Sequence, residues 1–340
     1  MTKMQWFDVP GLSGYLEEHL ENFRGPISIH KFPQGQSNPT FRIDTPSKSV
    51  VLRRKPEGVL LKSAHAVDRE YRVMLALENT DVPVPRVHHL CTDDSVIGSW
   101  FYLMEYVDGT VFSDPALPGL TSMQRKRIYD EANRVLAAIH TVDIDSNGLG
   151  DFGRAGNYYE RQVSRWTKQY RFSETCAVEP MEQLMDWLSK NIPADDGRTS
   201  LIHGDFRLDN IIFSRDNFEA IAVLDWELST LGHPIADLAY LCMQRRMKRD
   251  LFMPGLGDLD IAELGIPNEE DFLLRYCYRT GLKEVGPWSF YLACSFFRLA
   301  AICQGVLKRA LEGNASSEYG SELGTMVEPL ARLGLKVSQN

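Results

Sequence analysis

No two of the six cysteines stand in a C-x-x-C spacing: Cys91, Cys176, Cys242, Cys277, Cys294 and Cys303 are scattered, several within apolar runs. That pattern argues against a disulfide framework and a zinc site, and reads as buried free thiols in a reducing compartment. Positive charge is in deficit as well. Lys and Arg number 37 against 46 Asp and Glu, and a net charge of -9 makes nonspecific nucleic-acid binding a poor fit. The opening MTKMQWFDVPGL lacks the basic-then-apolar pattern of a signal peptide. No uninterrupted apolar run reaches the roughly 20 residues that cross a bilayer, so no membrane partner is expected and the expected location is the cytoplasm. Internal repeats and low-complexity segments are missing too. Apolar residues are plentiful: they fill 44% of 340 positions, core enough for about two domains or lobes.

The stretch with the densest chemistry is 201–227, LIHGDFRLDNIIFSRDNFEAIAVLDWE. Leu201 and Ile202 lead into His203-Gly204-Asp205, and Asn210 follows five residues after the Asp. Ile211 to Phe213 reads as a strand, Ser214 to Asn217 as a polar turn, and Ala220 to Leu224 as the returning strand, which ends on Asp225-Trp226-Glu227. A hairpin draws its outer ends together, so Asp205, Asn210 and Asp225 are expected to converge. Two carboxylates and an amide are hard oxygen donors that suit Mg²⁺. A carboxylate left off the metal can take a proton from a substrate hydroxyl, which is the equipment of phosphoryl transfer. Each part alone is common, and Asp-Asn pairs often only shape turns; the H-G-D-x-x-x-x-N, hairpin and strand-end Asp together are specific.

This block resembles the aminoglycoside phosphotransferase-like family, also called the phosphotransferase enzyme family. In that family H-G-D-x-x-x-x-N replaces the H-R-D-x-x-x-x-N of protein kinases, and a strand-end Asp stands in for D-F-G. The resemblance implies an α+β, two-lobed protein kinase-like fold. A small antiparallel-sheet N-terminal lobe with its hinge is expected over residues 1–109, and a mainly helical C-terminal lobe with the catalytic loop over 110–340. It also implies ATP and Mg²⁺ as cofactors and a small-molecule hydroxyl as acceptor. Asp205 is then the catalytic base, and Asn210 and Asp225 the metal ligands.

In the first lobe a leading helix is expected at 10–24 and strands at 27–32 and 41–44, joined by the turn Gln34 to Thr40. Such a turn can lay backbone N–H groups over phosphates, although with one glycine it also fits an ordinary hairpin. In the resembling family this loop covers the nucleotide, which places Ser37 and Asn38 over the β/γ-phosphates. The strand 49–56 alternates so that Val51 and Arg53 share a face. Arg53 occupies the position of the kinase strand lysine, a departure that keeps the charge but not the chemistry of Lys; Arg54 or Lys55 serves instead if the register slips by one. On the helix 64–79, Glu70 falls on the stripe of Val67, Tyr71 and Met74, where a carboxylate needs a partner. Arg53 is the candidate, with Arg69 or Arg72 as the plainer alternative. Strand 100–107 runs to Asp108-Gly109, where a mostly β segment becomes mostly helical. The resemblance makes M-E-Y-V-D-G the hinge, with the backbone of Glu105 and Val107 at the adenine edge.

The second lobe should hold helices at 122–140, 157–172, 180–191, 269–280, from Pro287 to about Glu312, and near 318–335. On 157–172, Tyr159, Val163, Trp166 and Tyr170 line one side and Arg161, Arg165 and Lys168 another. That pattern first fits a core helix with a solvated basic face; the sharper reading is a site for an anionic acceptor, such as a phosphorylated or CoA-linked molecule. Asp237, at the head of a helix, can accept backbone N–H bonds and lock the catalytic loop; the family gives it a structural role. The details G-Q-S-N-P-T, V-L-R-R-K-P, R-W-x-x-Q-Y and D-W-E-L-S-T-L-G-H-P look most like the kinase-like domains fused to some acyl-CoA dehydrogenases. That branch implies hydroxyacyl-CoA acceptors. An aminoglycoside or amino-alcohol acceptor is the alternative, with acidic residues near 258–271, and a non-catalytic nucleotide-binding module is a third reading. No A-P-E segment follows Asp225 as it would in a protein kinase.

Overall fold

The computed structural model describes residues 8–32, 38–56, 66–313 and 319–339. The chain forms two compact units, 1–108 with 222–227, and 109–221 with 228–340.

The first unit is built on five antiparallel strands: β1 (Ser28–Lys31), β2 (Thr40–Asp44), β3 (Ser49–Arg54), β4 (Val87–Cys91) and β5 (Phe101–Glu105). Their order is β1-β2-β3-β5-β4, so β3 is central and is buried from Val50 through Arg54. Alternation divides its side chains between two faces. Val50 and Leu52, with Phe41, Ile43, Phe101 and Leu103, meet Leu12 and Leu16 of α1 (Val9–His19) in one apolar cluster. Arg53 lies on the other face, opposite Tyr102 in the β3–β5 register, toward α2 (Val67–Leu77). A short α3 (Asp94–Ile97) precedes β5. Helix α1 stops earlier than the apolar spacing suggests. Leu20 is already extended and Asn22 turns the chain at φ 56°, so Leu20 and Phe23 reach the core from a non-helical segment.

The second unit is mainly helical. It contains α4 (Ser122–His140), α5 (Tyr158–Ser173), α6 (Glu179–Lys190), α7 (Ile235–Met243), α8 (Glu269–Thr280), α9 (Trp288–Leu311), α10 (Gly320–Gly324) and α11 (Val327–Ser338). Several ends follow from sequence chemistry. Thr121 and Gln124 form a reciprocal capping box on α4. Asn268 caps α8, and Gly281, at φ 72°, ends it. Helix α9 is buried nearly all round and packs against α5, α6, α7, α10 and α11. Among the described helices it alone is long and apolar enough to cross a membrane, and most of that surface is buried within the protein. A short antiparallel pair, β6 (Ser200–Ile202) with β9 (Thr230–Gly232), carries loops between helices, and β7 (Ile211–Phe213) is followed by β8 (Ala220–Val223), whose residues 222–223 belong to the first unit.

All six cysteines are free thiols; five are buried and Cys176 is exposed. Burial pushes the thiols of Cys242, Cys294 and Cys303 up to about 12. Since the thiolate is the reactive form, the native protein should titrate one thiol per chain with a disulfide reagent, at Cys176, and six after denaturation. A second fast-reacting thiol in the native state would contradict this packing.

Candidate active site

Two clusters of polar side chains stand out, one in each unit. In the first unit the β3 register turns Arg53 inward, and burial demands partners for its charge. Arg53 Nε lies 2.8 Å from Glu70 Oε2. Glu70, only 1% exposed, also receives the Asn38 amide at 2.6 Å and the Tyr102 hydroxyl at 3.1 Å. The far end of the guanidinium meets Asp225 Oδ1 at 2.6 Å and Glu227 Oε2 at 3.6 Å. One cation thus joins three carboxylates. Burial works against the Arg53 charge, but Glu70, the Tyr102 oxygen, Asp225 and Glu227 outweigh it and hold the guanidinium protonated well above its ordinary range. The neighbouring cations have other partners: Arg54 Nη1 donates to the Ile97 carbonyl at 3.2 Å, and Lys55 lies 3.8 Å from Asp68 and over the Trp100 ring.

Ser37 lies outside the described residues. Asn38 is fully buried and its amide donates to Glu70, so it braces the ion pair. Glu105 closes β5, its N–H donating to the Arg86 carbonyl at 2.8 Å. Val107 follows in non-regular backbone, and among the described residues no hydrogen bond involves its N–H or C=O. Asp225 adopts φ 65° and is 34% exposed. A left-handed backbone is unusual for a residue other than glycine, and Asp is among those that tolerate it.

In the second unit, β6 delivers His203-Gly204-Asp205. Gly204 sits at φ 87°, and a Cβ there would fall 2.5 Å from the Leu228 carbonyl oxygen, so only glycine fits. Asp237, at the head of α7 and fully buried, accepts the His203 N–H at 2.6 Å and the Gly204 N–H at 2.9 Å. Its second neighbour is His140 Nε2 at 3.4 Å, and His140 Nδ1 in turn meets the Tyr276 hydroxyl at 2.6 Å. Burial would raise the Asp237 carboxyl, but His140, His203 and the backbone donor overcome it and hold the pKa below the usual value. His203 Nδ1 accepts the Asp205 N–H at 3.2 Å. A 3₁₀ turn, Leu208–Asn210, then folds the Asn210 amide back to the Asp205 carbonyl at 2.9 Å and to its carboxylate at 3.3 Å. The Asn210 Nδ2 is occupied by these bonds, which leaves its carbonyl oxygen as the donor toward a ligand. Arg207 pairs with Asp209, and although burial works against its charge, Asp205 and Asp209 hold it protonated.

The structure therefore brings Asp205 to Asn210, and Arg53 to Glu70 and Asp225. Sequence spacing did not disclose the Arg53 contacts with Asp225 and Glu227 or the Tyr102 hydroxyl; the alternation Asp225-x-Glu227 after a strand was the available signal. Among the described residues no three His, Cys, Asp or Glu side chains gather as a metal cluster. Mg²⁺ does not need one, because it keeps waters and substrate phosphates and takes one or two protein oxygens. The Asn210 amide oxygen and the Asp225 carboxylate are hard donors of that kind. On α5, Arg161 donates to the Arg154 and Ala155 carbonyls and Arg171 pairs with Glu174 and Glu182, while Arg165 and Lys168 are exposed.

The model of the phosphotransferase enzyme family matches residues 28–266. The chain is 48% identical over 323 residues to mouse acyl-CoA dehydrogenase family member 10, covering 95% of this chain but 30% of that one. The curated relatives are thus much longer than the shared region. The crystal structure of a protein from Ralstonia eutropha JMP134 superposes with a TM-score of 0.89 at 48% identity, covering 98% of each chain. A spectinomycin phosphotransferase solved with ADP and spectinomycin superposes at a TM-score of 0.65 and 12% identity, covering 99% of this chain and 100% of that one, and so shares the fold.

Breaking a buried ion pair at one partner strands the other charge and typically removes about 3–5 kcal/mol. Urea unfolding of Glu70→Ala should show a loss of that size, with Glu70→Gln losing less because the Tyr102 and Asn38 contacts survive in part. Asp237 gives a pH prediction. A depressed carboxyl stabilises the fold above its unfolded pKa of about 3.9, and that contribution disappears as pH falls through the lower folded value. Stability measured down an acid series should therefore fall less steeply in Asp237→Asn, from a lower starting level, than in the parent.

Proposed function

Since the chain belongs to the phosphotransferase enzyme family and has its protein kinase-like fold, we propose that it transfers the γ-phosphoryl group of ATP, with Mg²⁺, to a hydroxyl of a small acceptor. The observation that carries this reading is the fixed catalytic loop: Asp205 hydrogen-bonded to Asn210 on a backbone that Asp237 and His203 hold in place. A carboxylate held this firmly is suited to orient an acceptor hydroxyl and to take its proton as the oxygen bonds to the γ-phosphorus and the bond to ADP breaks. Asn210 and Asp225 would hold Mg²⁺, which when bound neutralises phosphate charge. Arg53, set by Glu70, would hold the α/β-phosphates, and the backbone of Glu105 and Val107 would meet the adenine edge. The loop of Ser37 and Asn38 would cover the β/γ-phosphates.

For the acceptor we favour a hydroxyacyl-CoA. Two observations support it: the acyl-CoA dehydrogenase relatives carry this region, and Arg165 and Lys168 leave α5 with an exposed basic face. A polycationic aminoglycoside calls for an acidic surface in its place. The test is a screen with Mg²⁺ and ATP against hydroxyacyl-CoAs, aminoglycosides and amino alcohols, with phosphorylated product detected by mass. Product should form from a hydroxyacyl-CoA, and Asp205→Asn should lower kcat by about 10²–10⁴-fold while nucleotide affinity is retained. Normal turnover by Asp205→Asn would refute the base assignment; product from aminoglycosides alone would refute the acceptor.

A further inference from the structure

Helix α9 is apolar nearly all round, yet it carries Arg298. A guanidinium in such surroundings needs compensation, and its partners lie at the catalytic loop. Arg298 Nη2 donates to the Gly204 carbonyl oxygen. Its Cζ lies 5.6 Å from the centre of the Trp166 ring of α5 and 5.1 Å from that of Tyr240 of α7. Two aromatic rings therefore hold the planar cation, a geometry that suits Arg and not Lys. The Gly204 C=O and the Asp205 N–H are the two ends of one rigid peptide unit. Arg298 binds the first end and His203 Nδ1 accepts from the second at 3.2 Å. The preceding peptide is held by Asp237 through the Gly204 N–H. At φ 87° Gly204 has wide conformational freedom, so these bonds, more than local preference, set the direction of the next residue.

We propose that Arg298 is a positioning residue for the transfer reaction. By gripping the peptide between Gly204 and Asp205 from α9, it fixes the direction in which the Asp205 carboxylate faces its substrate. This rests on the reading of Asp205 as the base. Arg298 itself acts through the backbone and has no part in the proton transfer.

The test compares wild type, Arg298→Met and Arg298→Lys by steady-state kinetics and by amide hydrogen exchange resolved at residues 203–206. Because displacement of a reacting group by an ångström costs about 10²-fold, kcat in Arg298→Met should fall by that order, with KM for ATP within about twofold. Arg298→Lys, which keeps one donor and loses the planar stack, should recover part of the loss. The Asp205 amide should exchange about tenfold faster or more in Arg298→Met, with protection elsewhere in α5, α7 and α9 unchanged. Unchanged exchange at Asp205, or a kcat equal to wild type, overturns the proposal. Exchange rising together across α5, α7 and α9 overturns it as well, since that assigns Arg298 to core packing. If wild type phosphorylates no acceptor in the panel, the phosphotransfer reading fails, and exchange at Asp205 still reports separately whether Arg298 holds that peptide.

Discussion

A carboxylate without solvent exposure underlies the loop that leaves β6. Asp237 accepts two consecutive backbone N–H groups and is met by His140, so its charge is offset by polar neighbours on three sides. The bonds determine the path of the chain as it leaves β6, and that path passes through a left-handed glycine pressed against Leu228. Everything downstream in the loop, from the His203–Asp205 bond to the return of Asn210, depends on this turn. Helix α7 is therefore part of the loop's construction as much as part of the core.

The Arg53 cluster solves the opposite electrostatic problem. There the buried charge is positive and its partners come from α2 and from the segment after β8. Glu70 is braced by Asn38 and Tyr102, which leaves it little freedom to follow the guanidinium if that moves. The pair is anchored at its carboxylate end, while at the other end Asp225 and Glu227 are more exposed partners.

What could be read from the sequence was local. His203, Asp205 and Asn210 lie within eight positions, so their spacing alone brings them together. The alternation of β3 and the 3.6-residue period of α2 put Arg53 and Glu70 on facing stripes, and the caps of α4 and α8 follow from Thr121, Gln124, Asn268 and Gly281. Less legible was whatever depended on tertiary contact. The Arg53–Asp225 bond spans 172 positions. The turn of Asn38 toward Glu70 depends on a neighbour in α2, and the early end of α1 on a backbone angle at Asn22. Arg298, in the apolar middle of α9, carries no periodic signal for what it touches.

The position of α9 along the chain has a consequence for biosynthesis. Helices α4 to α7 leave the ribosome before residues 288–311, yet the faces of α5, α6 and α7 that pack on α9 have nothing to cover them until it arrives. When it does emerge, it is a helix apolar enough to cross a membrane. Exposed apolar surface of this kind favours aggregation of partly made chains. The feature that gives the finished second unit its core is thus the last large apolar surface of that unit to be made.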